Sequence, residues 1–242
     1  MNPYLVSTEL YLKSLVRLPA YWVPAVLFPV MLYAMFGSDE TGRAADYAMA
    51  SFVIYGVIGV ALYQFGVSIA QERETHWERY RRTLPGAAGP RMVAQMVAAV
   101  AFALTAALLV IAAAYGLSAP TIGPVRLAGL LVAAFAITIP FTLMGIALGY
   151  WATEKSAVAI ANLIYLPLAY LGGLWIPPQG LPSAIAAWSP FTPTRQAGEI
   201  AWAVVGGRDI PLDDVSRLAL YALLFAGLAA WGYRRDERRR YA

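Results

Sequence analysis

The sequence predicts an all-α, polytopic membrane protein with six transmembrane helices, an N-terminal amphipathic surface helix and an external re-entrant segment between spans 5 and 6. Three observations predict it. Of 242 residues, 60% are hydrophobic and only 13% are charged, against roughly 25% charged in an ordinary soluble domain. The apolar residues come in long uncharged runs rather than short alternations. The charges collect in a few clusters between those runs instead of being scattered to keep the chain in solution.

The runs place the spans at about 19–37, 48–70, 92–116, 127–151, 157–176 and 216–233, all within a single transmembrane domain, 1–242. Gly116, Pro120 and Pro124 end the third helix inside a longer apolar stretch, and Pro177-Pro178 cuts the fifth near Ile176. The last apolar run, Leu218 to Tyr233, is about 24 Å long at ~1.5 Å per residue, slightly short for a ~30 Å hydrocarbon core. Arg217 and Arg234 can snorkel, and Trp231 and Tyr233 suit an interface. The expected surface helix covers about 4–18. In it Glu9, Lys13 and Arg17 recur every four residues as a polar stripe, with Leu5, Leu12, Leu15 and Val16 to the other side.

Orientation follows from the basic residues. Thirteen of the eighteen lie on one side: Lys13, Arg17, Arg73, Arg79, Arg81, Arg82, Arg91, Lys155, Arg234, Arg235, Arg238, Arg239 and Arg240. Arg43, Arg126, Arg195, Arg208 and Arg217 lie on the other. The first side is therefore expected to be cytoplasmic, with both chain ends on it, in a cell membrane. No cleavable signal peptide is expected, because the first apolar stretch lacks an A-x-A type cleavage site.

Much chemistry is excluded. There is no cysteine, hence no disulfide, thiolate metal site or cysteine nucleophile. A single histidine, His76, excludes multi-histidine metal or haem sites. No G-x-x-x-x-G-K-[ST] phosphate loop, G-x-S-x-G or H-E-x-x-H occurs. The basic residues flank apolar runs rather than forming one face, so nucleic acid is not an expected partner; the lipid bilayer is. Within the spans, neutral polar groups stand without charge. Such groups are more often helix–helix glue than substrate contacts. Tyr55, Gln64, Thr142, Asn162 and Tyr165 are the candidates for a substrate path.

Two polar segments stand out. The first is Glu72-Arg73-Glu74-Thr75-His76-Trp77-Glu78-Arg79-Tyr80-Arg81-Arg82-Thr83-Leu84-Pro85. Thr75 and Glu78 have capping-box spacing, the acids precede and the arginines follow as the helix dipole favours, and Pro85 stops the helix. A short exposed helix over about 75–83 follows, with Trp77 and Tyr80 on one face. Aromatic residues and arginine of this kind anchor protein interfaces. The second runs Leu171-Gly172-Gly173-Leu174-Trp175-Ile176-Pro177-Pro178-Gln179-Gly180-Leu181-Pro182, then Ser189-Pro190-Phe191-Thr192-Pro193-Thr194-Arg195. Unpaired backbone at membrane depth survives only against protein or water, so short helices dipping back into the outer leaflet are expected over about 177–200.

Taken together, these segments resemble the permease subunit of type-2 ATP-binding-cassette exporters over essentially the whole chain. The family's loop pattern is similar to E-R-E-x-G-T-x-E…T-x-P. Glu72-Arg73-Glu74 matches its start and Glu78 its later acid, with Thr83 and Pro85 near its end. His76 and Trp77 replace the usual small residues, and Leu84 stands between Thr83 and Pro85. The second match is Gly172-Gly173-Leu174-Trp175-Ile176-Pro177-Pro178…Leu181-Pro182…Ser189-Pro190…Pro193-Thr194. The resemblance implies a homodimer, or a dimer with a similar permease, on two separate cytoplasmic ATPase subunits. It implies no cofactor in this chain and no enzyme activity of its own, since ATP and Mg would be bound by the ATPase. The loop helix would be the coupling helix docked on that ATPase, through Glu72, Glu74, Thr75, His76, Trp77, Glu78, Arg79, Tyr80 and Arg82. The path would lie between the two permeases, with Trp175, Ile176, Pro177 and Pro178 as the external gate. Exported cargo would be a drug, lipid, peptide or other amphipathic compound. The alternative reading is an ion-coupled secondary transporter, which intramembrane ionisable residues would favour; the spans lack them. A membrane-embedded enzyme would need a polar catalytic cluster, which is also missing.

Overall fold

Glycine, proline and charge punctuate the apolar runs, and the helices break where they do. The computed structural model describes residues 3–17, 19–75 and 89–240. Helix α1 spans Pro3–Val16 and α2 Pro19–Phe36. Helix α3, Gly42–Ala61, runs without a break through a π-helical stretch, Leu62–Val67, into α4, Ser68–Glu74. Helix α5 is Gly89–Leu117 and α6 Pro124–Trp151. Helix α7 is Ala157–Leu171, followed by a 3-10 turn at Pro178–Gly180, short α8 at Ser183–Ala186 and a second 3-10 turn at Ser189–Phe191. Helices α9, Pro193–Gly206, and α10, Leu212–Arg240, complete the chain.

The long helices alternate in direction between two ends of a bundle. At one end α2 and α5 meet where the Tyr33 and Ser118 hydroxyls hydrogen-bond, and a two-residue parallel pairing joins Thr41-Gly42 to Ala119-Pro120. The other end is where α4 stops at Glu74 and α5 starts at Gly89. These are called the Asp46 end and the loop end. Among the described residues, four helical stretches are long and apolar enough to cross a membrane: Gly42–Arg73, Val93–Leu117, Pro124–Trp151 and Leu212–Arg238. Val26–Phe36 and Ala157–Leu171 are shorter apolar helices.

The core sits around α3, which packs against α2, α5, α6 and α9. Met49, Phe52, Val53, Ile54 and Ile58 are buried, and the rings of Tyr33 and Phe52 meet edge-on at 5.7 Å. Helix α5 turns an alanine-rich stripe inward, Ala99, Ala103, Ala106, Val110 and Ala114, at the three-and-four spacing of one helix face. Against the π-helical stretch, α6 presents Gly145 and Gly149. A Cβ at Gly145 would sit 2.8 Å from the Ala61 carbonyl oxygen, and one at Gly149 2.7 Å from Ile69 Cβ. This small-xxx-small spacing is how membrane helices approach closely.

Three expectations shift. The second helix is longer than the predicted 48–70 span because nothing stops it before Thr75, whose backbone is extended. The fifth ends at Leu171, not Ile176. Gly173 adopts φ +76°, Leu174 N donates to Ala169 O at 3.0 Å and Gly173 N to Tyr170 O at 3.0 Å, a Schellman termination. The last helix outruns 216–233 at both ends, starting after Pro211 and continuing through arginines, which are good helix formers.

Candidate functional site

At the loop end the chain leaves the buried rod of α3 and α4 through Glu72-Arg73-Glu74. Arg73 is held by two other helices at once, α6 and α10. Its Nη1 donates to the Tyr150 carbonyl and to Asp236 Oδ1, each at 3.0 Å, and its Nη2 to the Ala152 carbonyl at 2.8 Å. Those carbonyls are at the C-terminus of α6, where an α-helix leaves acceptors unused and carries partial negative charge. The Arg73 and Asp236 side chains are only 13% and 15% exposed. One residue earlier, Glu72 Oε2 accepts from Gln95 Nε2 of α5 at 3.2 Å. The two ends of segment 76–88 are thereby tied together and to α6 and α10.

Thr75 Oγ1 donates to the Glu72 carbonyl at 2.8 Å. Its extended backbone suits a residue preceding a helix, but the partner expected for its cap, Glu78, lies outside the described residues. So do His76, Trp77, Arg79, Tyr80 and Arg82, and with them the predicted helix 75–83 beyond Thr75; the Glu74 side chain lies outside as well. Arg73, Gln95 and Asp236 were not singled out from the sequence as site residues. The available signals were an arginine flanked by two acids next to a span, and an acid within a run of C-terminal arginines.

Deeper in the bundle, three of the five path candidates come together. Tyr165 Oη donates to the Tyr55 carbonyl at 2.6 Å, and the two rings stack at 4.6 Å and 14°. This approach requires Gly59, where a Cβ would lie 2.6 Å from the Tyr165 hydroxyl. Tyr63, in the π-helical stretch, donates to Asn162 Oδ1 at 2.5 Å. π-Helical turns inside α-helices recur at functional sites. Gln64 instead donates to Tyr11 Oη of α1 at 3.1 Å, and Thr142 makes no hydrogen bond to this group among the described residues. Trp175 closes the cluster, its ring 5.8 Å from Tyr55 and 6.5 Å from Tyr170. The Tyr55 hydroxyl and the Trp175 indole N–H are buried with no hydrogen-bond partner among the described residues.

Toward the Asp46 end, Asp46, Ser51, Thr194 and Arg195 are paired. Asp46 accepts from Thr121 N at 2.7 Å, Thr121 Oγ1 at 2.9 Å and Ile122 N at 3.0 Å, pinning the α5–α6 connection. Helix α9 folds back on the bundle. Trp202 Nε1 donates to Ser51 Oγ at 2.8 Å, and Thr194 Oγ1 takes the Leu168 carbonyl at 2.5 Å. Arg195 bonds Glu199 at 2.6 Å and lies 5.5 Å over the Trp202 ring. Of the gate candidates, Trp175 points into the core, Pro178 backs onto Gly173 and Ile176 onto Gly180, while Pro177 is exposed.

Residues 4–199, most of the chain, match the family described as ABC-2 type transporter. The chain belongs to the ABC-2 type transporter family. It is also similar to a Bacillus subtilis (strain 168) protein, YvfS, named as a transport permease, with 23% identity over 235 residues, 93% of this chain and 95% of that one. The family and the apolar helices indicate a multi-pass membrane protein. In this permease no cluster of three or more acids or histidines that could hold a metal ion occurs among the described residues.

Proposed function

We propose that this permease forms, as a dimer with a second copy of itself, the translocation path of an ATP-driven exporter, and that two separate ATPase subunits bind ATP and Mg and drive it. The loop end faces the cytoplasm, six helices cross the bilayer with α2 and α7 as the two shorter spans, α1 lies on the cytoplasmic surface, and residues 177–200 re-enter the outer leaflet. The carrying observation is the knot at Arg73. It joins the chain on the N-terminal side of segment 76–88 to α6 and α10, and α4 continues into the most enclosed helix of the bundle. A push received by Trp77 and its neighbours would be passed to the core through that rod rather than absorbed in a slack connector. The buried Tyr55 hydroxyl and Trp175 N–H supply donors that a bound cargo would satisfy, since buried polar atoms left unpaired are costly. That chemistry fits an amphipathic molecule carrying a hydrogen-bond acceptor.

Trp77→Ala tests the proposal. Truncating an aromatic anchor at an interface often costs more than ~2 kcal/mol. The expected outcome is loss of ATPase co-purification or of transport-linked hydrolysis, while Arg81→Ala changes little. Wild-type complex and activity in both Trp77→Ala and Glu74→Ala/Glu78→Ala would reduce segment 76–88 to a solvated connector.

A further inference from the structure

Helix α10 keeps two different faces as it runs past the end of its apolar stretch. Phe225, Ala229, Gly232 and Asp236 follow one another at three-and-four spacing and form the inward face. Ala229 is buried, a Cβ at Gly232 would lie 2.8 Å from Tyr150 Cβ, and Asp236 pairs with Arg73. Trp231, Arg234, Arg235 and Arg238 follow the same spacing on the face turned away, and all four are exposed. Asp236 is thus withdrawn from this stripe, and Glu237, exposed at its edge three residues from Arg234, is the one acid bordering it among the described residues of this helix. The stripe is also levelled and held. The Trp231 and Trp151 rings meet at 4.7 Å, the Arg235 guanidinium lies 4.8 Å from the Trp151 ring centroid, and Tyr150 and Tyr233 rings meet at 5.6 Å. Trp and Tyr of this kind settle at the headgroup level of a bilayer, which puts the arginines one turn beyond it, among the phosphates.

We propose that the stripe Trp231–Arg234–Arg235–Arg238 is a binding site for an anionic phospholipid, whose phosphate is taken by the arginines while its acyl chains lie along the exposed leucines of α10. Arginine clusters immediately beyond a membrane helix attract anionic headgroups, and the planar guanidinium matches phosphate oxygens two at a time. Leu220, Leu223 and Leu224, exposed further up the helix, offer the apolar wall. The site depends on the chain being a membrane protein and not on export or on the ATPase.

The test is native mass spectrometry of the purified full chain, titrated with phosphatidylglycerol or with phosphatidylcholine of the same acyl chains, reading the apparent Kd of the first bound lipid. Each arginine near the headgroups contributes about a fivefold preference, so phosphatidylglycerol should bind at least about fivefold tighter, and less so as salt is raised. Arg234→Gln/Arg235→Gln/Arg238→Gln should bring the two lipids to parity, and Arg238→Gln alone should reduce the preference with little risk to folding. Glu237→Gln should keep or raise it. Excess inorganic phosphate should not displace the lipid. Equal binding of both lipids by the wild type, an undiminished preference in Arg238→Gln and the triple variant, or displacement by inorganic phosphate would each overturn the site.

Discussion

Helices α3 and α10 are both apolar spans, yet the protein treats them in opposite ways. The most apolar window of the Gly42–Arg73 helix is 89% buried within the protein, whereas that of Leu212–Arg238 is 17% buried. Hydropathy cannot separate them, because lipid tails are as apolar as leucine and no hydrophobic drive pushes one membrane helix between others. What separates them is surface shape. Along α3 and its π-helical continuation, Gly56, Gly59 and Gly66 face Pro29, Tyr165 and Gly145 so closely that no Cβ would fit without movement. On α10, Gly227 has nothing within 4 Å of a built Cβ, and Leu220 and Leu223 are 67% and 71% exposed. The lesson is that small residues and paired polar groups choose the central helix, while bulk apolar character only admits a helix to the bilayer.

Several substitutions would break or sharpen this contrast. Phe52→Ala, in the most enclosed part of α3, should lower stability by ~3–5 kcal/mol, read as a lower thermal midpoint in detergent; a change of the size seen on α10 would dissolve the distinction. Arg73→Ala comes next, because Arg73 links the two helices and its loss removes the Asp236 ion pair and two carbonyl hydrogen bonds from a mostly dry site. Breaking such a pair costs about 3 kcal/mol at this partial exposure, and a double-mutant cycle with Asp236→Ala should show strong coupling. Gly145→Val forces a side chain toward the Ala61 carbonyl and should cost roughly 1–3 kcal/mol through overpacking, measured as the folded fraction after solubilisation. Leu223→Ala should sit within about 0.5 kcal/mol of the wild type, and a large loss there would reveal a protein contact on α10 rather than lipid.

The comparison also separates what was legible in the sequence from what was not. Uncharged runs located the helices, since backbone groups in an apolar medium must pair within the segment. Gly172-Gly173 carried a stop signal as strong as Pro177-Pro178, and the glycine pair prevailed because a left-handed residue lets the last carbonyls bond at once. The path candidates were legible as residue types, but the junction of Tyr55, Asn162 and Tyr165 was not, nor was the departure of Gln64 toward α1. Segment 76–88 remains the most informative stretch of sequence for partner choice, and its reading rests on residue pattern alone.

The sequence by itself determined that this is a helical membrane protein of the ABC-2 family, where its apolar helices run, and which polar clusters are candidates for partners. Only the tertiary structure decided that α3 is central and α10 peripheral, that the second long helix widens into a π-helical turn, and that Arg73 closes on Asp236 across 163 residues of chain. The physical reason is that helix formation is local, set by the hydrogen bonds of neighbouring residues, whereas which faces meet depends on the fit of glycines, rings and charge pairs between segments far apart in sequence.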